Sequence, residues 1–206
     1  LVLHTHLGMS GSWRSSTLDA AVPRHPHLRI VIETRAGRAL CFAAPDISTH
    51  LSGSGTAPAD LLGPDLSNDE VDFVDVVRRS RAVQNDGRML AGLLLDQRVA
   101  AGVGNVFKSE ALFVAGLHPF TTVADLHDDR LHKLWDVAHR QLVANRGRPH
   151  RSTTGPGRDG RTYVYGRHRF ACRRCDNSID YSAAGVVTAR STYWCPTCQP
   201  RAERLA

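Results

Sequence analysis

The sequence predicts an α+β protein of more than one domain. Three observations carry that expectation. The first fifty residues alternate apolar and polar side chains in short runs, and the stretch from Ser67 to Asn145 repeats apolar residues at helical spacing. Beyond it, four cysteines stand as two C-x-x-C pairs in a segment rich in arginine and glycine.

The elements follow in chain order. LVLHTHL suits a half-buried strand, and LRIVIETRAGRALCFA suits two strands around a turn at Ala36-Gly37, with Cys41 as buried packing on the second. Residues 51–60 are linker-like, closed by Gly63-Pro64. Ser67 followed by Glu70 is a capping-box pattern ahead of the helical run VDFVDVVRR. Arg88 to Asp96 is a second apolar helix, RVAAGVGN a glycine-bearing connection, and Asn105 a cap for NVFKSEALFVAG. In the next helix Leu131, Leu134, Ala138 and Leu142 share one face, a core stripe. Residues 147–160 have the composition of a mobile loop, and RTYVYGRHRFAC and GVVTARSTYWC suit short strands carrying the cysteines. No internal repeat is present.

Composition excludes some classes and favours others. Of 206 residues, 42% are hydrophobic and 22% charged, values ordinary for a globular protein. No apolar run approaches the ~18 residues of a membrane helix, and no basic-then-apolar leader is visible; the expected location is cytoplasmic. The formal net charge is +6, and from Arg140 onward thirteen arginines face only four acids, Asp159, Asp176, Asp180 and Glu203. Such an excess attracts a polyanion through counterion release, or is simply a solvated surface. With only two lysines, Lys108 and Lys133, part of the arginine content is compositional bias.

The cysteines carry the most specific chemistry. Cys172-x-x-Cys175 and Cys195-x-x-Cys198 are paired knuckles separated by a 19-residue arm. Each offers two thiolates from one tight turn, and together they complete a tetrahedral site for one Zn²⁺. Two disulfides would require an oxidising compartment that nothing else indicates. Four protein ligands leave no open position, so the zinc is structural. The pairs should flank a β-hairpin with Arg190 near its turn, where an arginine either meets a DNA groove or phosphate or is only solvated.

Four segments together resemble one family. HLGMSGSW at 6–13, LGPDLS at 62–67, LLLDQRVAAGVGNVFKSEALFVAGLHP at 93–119, and VYGR followed by C-x-x-C and ARSTYWCPTCQ are similar to the formamidopyrimidine-DNA glycosylase and endonuclease VIII family. The resemblance covers essentially the whole chain. It implies a remainder of an N-terminal β-sandwich at 1–62, a helix–two-turn–helix domain at 63–148, and a zinc-finger domain at 149–206 with its preceding mobile loop. It also implies a bifunctional base-excision repair enzyme. Such an enzyme flips a damaged base, breaks its glycosidic bond and cleaves the strand at the abasic site as an AP lyase. The family's nucleophile is an N-terminal proline amine that forms a Schiff base with C1′, assisted by the adjacent glutamate and a strand lysine. The sequence opens at Leu1, which aligns after all three. A preceding segment is therefore expected, no residue of these 206 is nominated as catalytic, and the chain as given is expected to be inactive alone.

The DNA-binding residues do carry over from the resemblance. Asn105 matches an asparagine that holds a phosphate near the lesion, Arg190 the zinc-finger arginine that reaches DNA around the damaged nucleotide, and Met9 the wedge that fills the void of the flipped base. His6 stands where the family places a phosphate-contacting histidine. Without the resemblance, Met9 would be core and His6 a satisfied strand residue. CFAAPDISTH, which holds Phe42 but no Arg, lacks the Arg–Phe pair that completes the wedge in the formamidopyrimidine branch, which favours the endonuclease VIII-like branch and oxidised pyrimidines, although HLGMSG is closer to the other pattern. The expected partner is damaged double- or single-stranded DNA, bound by a monomer associated with the nucleoid. The alternative function is a catalytically inactive module that recognises abasic or distorted DNA. A zinc-ribbon role in transcription would leave Met9 and GVGN unexplained.

Overall fold

The computed structural model describes residues 1–8, 10–53, 58–148, 150–155 and 161–201. The chain forms two compact units, Leu1–Leu61 and Leu62–Ala206. Among the described residues, no helix is long and apolar enough to cross a membrane.

The first unit is built from five strands: β1 (Val2–His6), β2 (Ser12–Ser16), β3 (Leu28–Thr34), β4 (Gly37–Phe42) and β5 (Asp46–His50). β1 pairs antiparallel with β5, and a second antiparallel sheet runs in the order β2-β4-β3. The central strand supplies the buried side chains, Leu40, Cys41 and Phe42, and Cys41 is fully buried as packing. The register Thr34↔Gly37 makes Arg35-Ala36 the two-residue loop of the hairpin, so the turn lies one residue earlier than the sequence suggested.

The second unit begins with a close backbone approach. The Gly63 amide donates to the Gln97 carbonyl at 2.8 Å, and a Cβ on Gly63 would lie 2.3 Å from the Val99 carbonyl oxygen. Only glycine fits there. Four helices follow: α1 (Phe73–Ser80), α2 (Leu90–Leu93), α3 (Asn105–Ala115) and α4 (Asp128–Asn145). Leu66, Leu90, Leu93, Leu94, Ala111, Leu112, Leu131, Leu134, Trp135 and Ala138 form its core. The α4 stripe is as its spacing predicts, with Leu131, Leu134 and Ala138 fully buried and Leu142 packed against the same cluster. The buried Trp135 indole donates to Ser80 Oγ at 2.9 Å, giving the ring's only polar atom a partner.

Several local expectations are corrected. α1 is capped by Asp72, whose carboxylate accepts from the Asp75 amide at 3.0 Å. Ser67 is not the cap, because its amide and hydroxyl both donate to Asp65 Oδ1 at 2.8 Å. The helix expected over Arg88–Asp96 is only the short α2. Its first amides are taken from outside, Leu90 N–H by the Thr121 carbonyl and Ala91 N–H by the Pro119 carbonyl, and beyond Leu94 the chain turns at Asp96, held by Arg88 and Arg98. The cap of α3 is Gly104, and Asn105 is the first residue inside the helix. α3 ends at Gly116 in the left-handed region, φ 69°, a conformation that favours glycine.

The cysteine-bearing segment also departs from expectation. RTYVYGRHRFAC forms no strand; its successive amides at Tyr163, Val164 and Tyr165 are captured by a side chain of α3, as described below. Within GVVTARSTYWC only β7 (Thr192–Trp194) is extended, and it pairs antiparallel with β6 (Asp180–Ser182) in the register Tyr181↔Tyr193. In the loop predicted at 147–160, positions 149 and 156–160 lie outside the described residues, while Asn145 at the end of α4 clasps Ser152 through both its amide atoms.

Candidate nucleic-acid interface and metal centre

The four cysteine sulfurs converge. Sγ atoms of Cys172, Cys175, Cys195 and Cys198 all lie within 4.8 Å of one another, with Cys172–Cys198 at 3.9 Å and Cys175–Cys195 at 3.5 Å. A tetrahedron of ~2.3 Å metal–sulfur bonds has edges of about 3.8 Å, so the donor set fits a Zn²⁺-sized ion. Disulfide sulfurs would stand about 2.05 Å apart, and all four cysteines are free thiols. Burial pushes the Cys195 and Cys198 thiols up, while the Asn177 backbone amide draws Cys175 down to about 7. Four thiolates crowded this closely need a cation at their centre.

The cysteine cluster is fastened to α3. Phe113, Val164, Ile179, Cys172 and Cys195 form a second apolar cluster. The Arg174 guanidinium lies 4.3 Å from the Phe113 ring centroid and donates to the Phe113 carbonyl. Buried Gln199 bridges the Cys195 amide to the Leu117 carbonyl, at 2.9 and 2.8 Å. The cluster thus sits under the hairpin and against the C-terminal half of α3.

At the other end of α3, two sequence-predicted residues meet. Asn105 Nδ2 donates to Ser191 Oγ at 3.2 Å, and the neighbouring Arg190 is exposed, with no side-chain hydrogen bond or ion pair among the described residues. Joining them is a residue the sequence reading passed over. Lys108 is fully buried, and its Nζ donates to Asn105 Oδ1 at 2.7 Å, the Ser191 carbonyl at 2.8 Å and Thr192 Oγ1 at 2.9 Å. Burial, then the nearby Arg190 guanidinium, lower its ammonium to about 8. Half-buried Asn105, exposed Arg190 and the start of α3, whose cap offers no side-chain acceptor, form a positively polarised surface suited to an anion.

Two sequence-predicted residues remain. His6 is exposed at the end of β1, opposite Asp46, in the first unit. Met9 lies outside the described residues.

A second missed residue is Glu110, also fully buried. Its Oε1 accepts from the Val164 and Tyr165 amides, each at 2.8 Å, and its Oε2 from the Tyr163 amide at 2.7 Å and the Thr153 hydroxyl. The signal for both was present as a lysine and a glutamate inside an otherwise apolar helix, NVFKSEALFVAG.

Comparison with known proteins now decides the family. Residues 62–145 match the formamidopyrimidine-DNA glycosylase H2TH domain. The chain is 37% identical over 204 residues to a probable endonuclease 8 2 of Streptomyces coelicolor, covering 97% of this chain and 72% of that protein. It belongs to the formamidopyrimidine-DNA glycosylase and endonuclease VIII family. A DNA-(apurinic or apyrimidinic site) lyase, Nei2, of Mycolicibacterium smegmatis is 39% identical over 199 residues, or 96% of this chain and 75% of the relative. The Lactococcus lactis formamidopyrimidine-DNA glycosylase, solved non-covalently bound to DNA containing an AP site, superposes with a TM-score of 0.70 at 25% identity, over 97% of this chain and 74% of that one. In the framework of this family, α3 and the turns before it are the helix–two-turn–helix element, and the cysteine cluster sits where a zinc finger is expected.

Proposed function

We propose that this chain acts in base-excision repair, as the DNA-gripping part of a bifunctional DNA glycosylase and AP lyase for oxidised bases. The observation that carries the reading is the union of Asn105 and Arg190. They are 85 positions apart in sequence, yet one buried lysine holds both segments at the start of α3. The domains are read as a sandwich remainder at 1–62, a helix–two-turn–helix domain at 63–148 and a zinc-finger domain at 149–206.

In this reading Asn105 and the first amides of α3 grip a phosphate beside the lesion, and Arg190 reaches the groove or an adjacent phosphate. His6 contacts the backbone from the first unit, and Met9 fills the gap of the flipped base, offsetting an unstacking cost of a few kcal/mol. Cys172, Cys175, Cys195 and Cys198 hold one structural zinc, whose chemistry is to neutralise four thiolates and fix the hairpin that carries Arg190. In the family pattern the nucleophile is an N-terminal proline amine. The absence of Arg from CFAAPDISTH, and relatives named endonuclease 8 and Nei2, favour oxidised pyrimidines as substrate. The protein binds as a monomer.

Borohydride trapping on abasic-site DNA tests the enzymatic reading, because only a Schiff base becomes a permanent adduct. A form of the protein that carries the family's Pro-Glu start should give a covalent protein–DNA product. Binding to the same DNA without an adduct would overturn the enzyme and leave a recognition module.

A further inference from the structure

Lys108 is a cation without an anion. Its side chain is fully buried, yet among the described residues it forms no ion pair with a carboxylate. Its three donors meet three neutral oxygens, those of Asn105, Ser191 and Thr192. Besides burial, what acts on it is another cation, Arg190. Burying an uncompensated ammonium is costly, so the arrangement needs a reason beyond packing.

The geometry of Asn105 supplies one. An amide side chain offers a carbonyl oxygen at one end and a donor at the other. With Oδ1 held by Lys108 at 2.7 Å, Nδ2 is turned toward Ser191 Oγ at the half-buried surface, at a longer 3.2 Å. The reverse rotamer would aim a carbonyl oxygen at an incoming anion, and Lys108, which only donates, forbids it. The same ammonium grips the Ser191 carbonyl and the Thr192 hydroxyl, which directly follow Arg190 at the start of β7. Thr192 is itself fully buried and also meets Thr188 Oγ1 at 3.1 Å, so this corner of the loop is held from both sides.

We propose that Lys108 is a positioning residue that clips the start of α3 to the Arg190–Thr192 segment, so that Asn105 and Arg190 meet one DNA backbone as a single rigid unit. The inference rests on the DNA-binding reading above. Lys108 does not touch DNA. It fixes the donor face of Asn105, sets where Arg190 leaves the hairpin, and adds a buried positive charge beneath the seat, which a phosphate above Asn105 and Arg190 would compensate.

The test is a double-mutant cycle on the full-length protein. Affinity is measured for a duplex carrying a tetrahydrofuran abasic analogue, at one salt concentration, with zinc content checked for each variant. The cycle comprises wild type, Lys108→Met, Arg190→Ala and the double variant. If Lys108 acts through Arg190, Lys108→Met weakens binding about tenfold in the wild-type background and only about twofold once Arg190 is gone. Equal losses in both backgrounds, which a merely structural role would give, overturn the proposal. Thr192→Val removes one acceptor and keeps the charge. It repeats the cycle if Lys108→Met does not fold, with a smaller loss that must likewise shrink beside Arg190→Ala. Wild-type protein that fails to prefer the abasic duplex over undamaged DNA would overturn the functional reading itself. Preference without coupling overturns only the role of Lys108.

Discussion

Glu110→Gln is the substitution whose cost the structure specifies most directly. The carboxylate is fully buried, and all four groups that reach it are donors: the amides of Tyr163, Val164 and Tyr165 and the Thr153 hydroxyl. Each oxygen accepts two of them. Glutamine keeps the shape but turns one oxygen into an NH₂ group that cannot accept. With its NH₂ beside Val164 and Tyr165 two amides lose their acceptor; with its NH₂ beside Thr153, whose hydroxyl can rotate to accept, the Tyr163 amide alone does. Hydrogen bonds to a charged group contribute about 1.5–3 kcal/mol each, so even the better orientation costs at least about 1.5–3 kcal/mol. That is a large part of a typical stability of about 5–15 kcal/mol.

The loss should appear first as local opening. Residues 161–165 belong to no strand, and Val164 alone among them is fully buried. Hydrogen exchange at the Tyr163, Val164 and Tyr165 amides should therefore accelerate by at least about tenfold, the equivalent of roughly 1.4 kcal/mol. The urea midpoint should fall with it. Unchanged exchange at these three amides, together with an unchanged midpoint, would refute the reasoning, because the bonds would then contribute nothing to holding the segment.

Three further outcomes are expected. Arg190→Ala should weaken binding to abasic-site DNA at matched salt and reduce the salt dependence by about one phosphate contact; equal affinities would reject the contact. Removing zinc with a chelator should disorder the β6–β7 hairpin, and unchanged amide shifts there would argue that the thiols need no ion. The Asp96 carboxyl is held far below the ordinary carboxylate range by hydrogen bonds from Arg98 and then Arg88, against the opposing effect of burial. Its folded-state affinity for protons is lowered, so its contribution to stability is present above about pH 4 and lost as the pH falls through the folded value. Asp96→Asn should lower stability at neutral pH and flatten the acid limb of the stability profile; an acid limb as steep as that of wild type would rule this out.

What the sequence made legible was local. Two C-x-x-C pairs need only a tight turn each to point their thiols together, and they converge as the spacing implies. The α4 stripe needs only the helical period. What it hid was decided by partners far along the chain. Lys108 finds Ser191 and Thr192 more than eighty positions away, and Glu110 gathers donors some fifty positions away. No window on NVFKSEALFVAG reveals either. VYGR has strand-like residues, yet its amides meet a carboxylate in place of a neighbouring strand. The cap of α1 is Asp72, where the sequence pointed to Ser67. Asp65 engages Ser67 instead.

Lys108 and Glu110 together explain why α3 orders the cysteine module around it. Two residues apart on a helix, they point about 200° from each other, one toward residues 191–192 and the other toward 163–165. Each buries a full charge and balances it with neutral hydrogen bonds, and among the described residues neither forms an ion pair. Leucines at both positions would pack and avoid the desolvation cost, but apolar surfaces slide and re-register where three acceptors around an ammonium, or four donors around a carboxylate, do not. The C-terminal half of α3 repeats the device more cheaply, with Arg174 on Phe113 and Gln199 on Leu117. Successive turns of α3 are thus tied to a different piece of the cysteine-bearing segment. Order imposed on the hairpin by a bound ion therefore reaches Asn105 through Thr192 and Lys108, and loss of the ion should loosen the start of α3 after the hairpin itself.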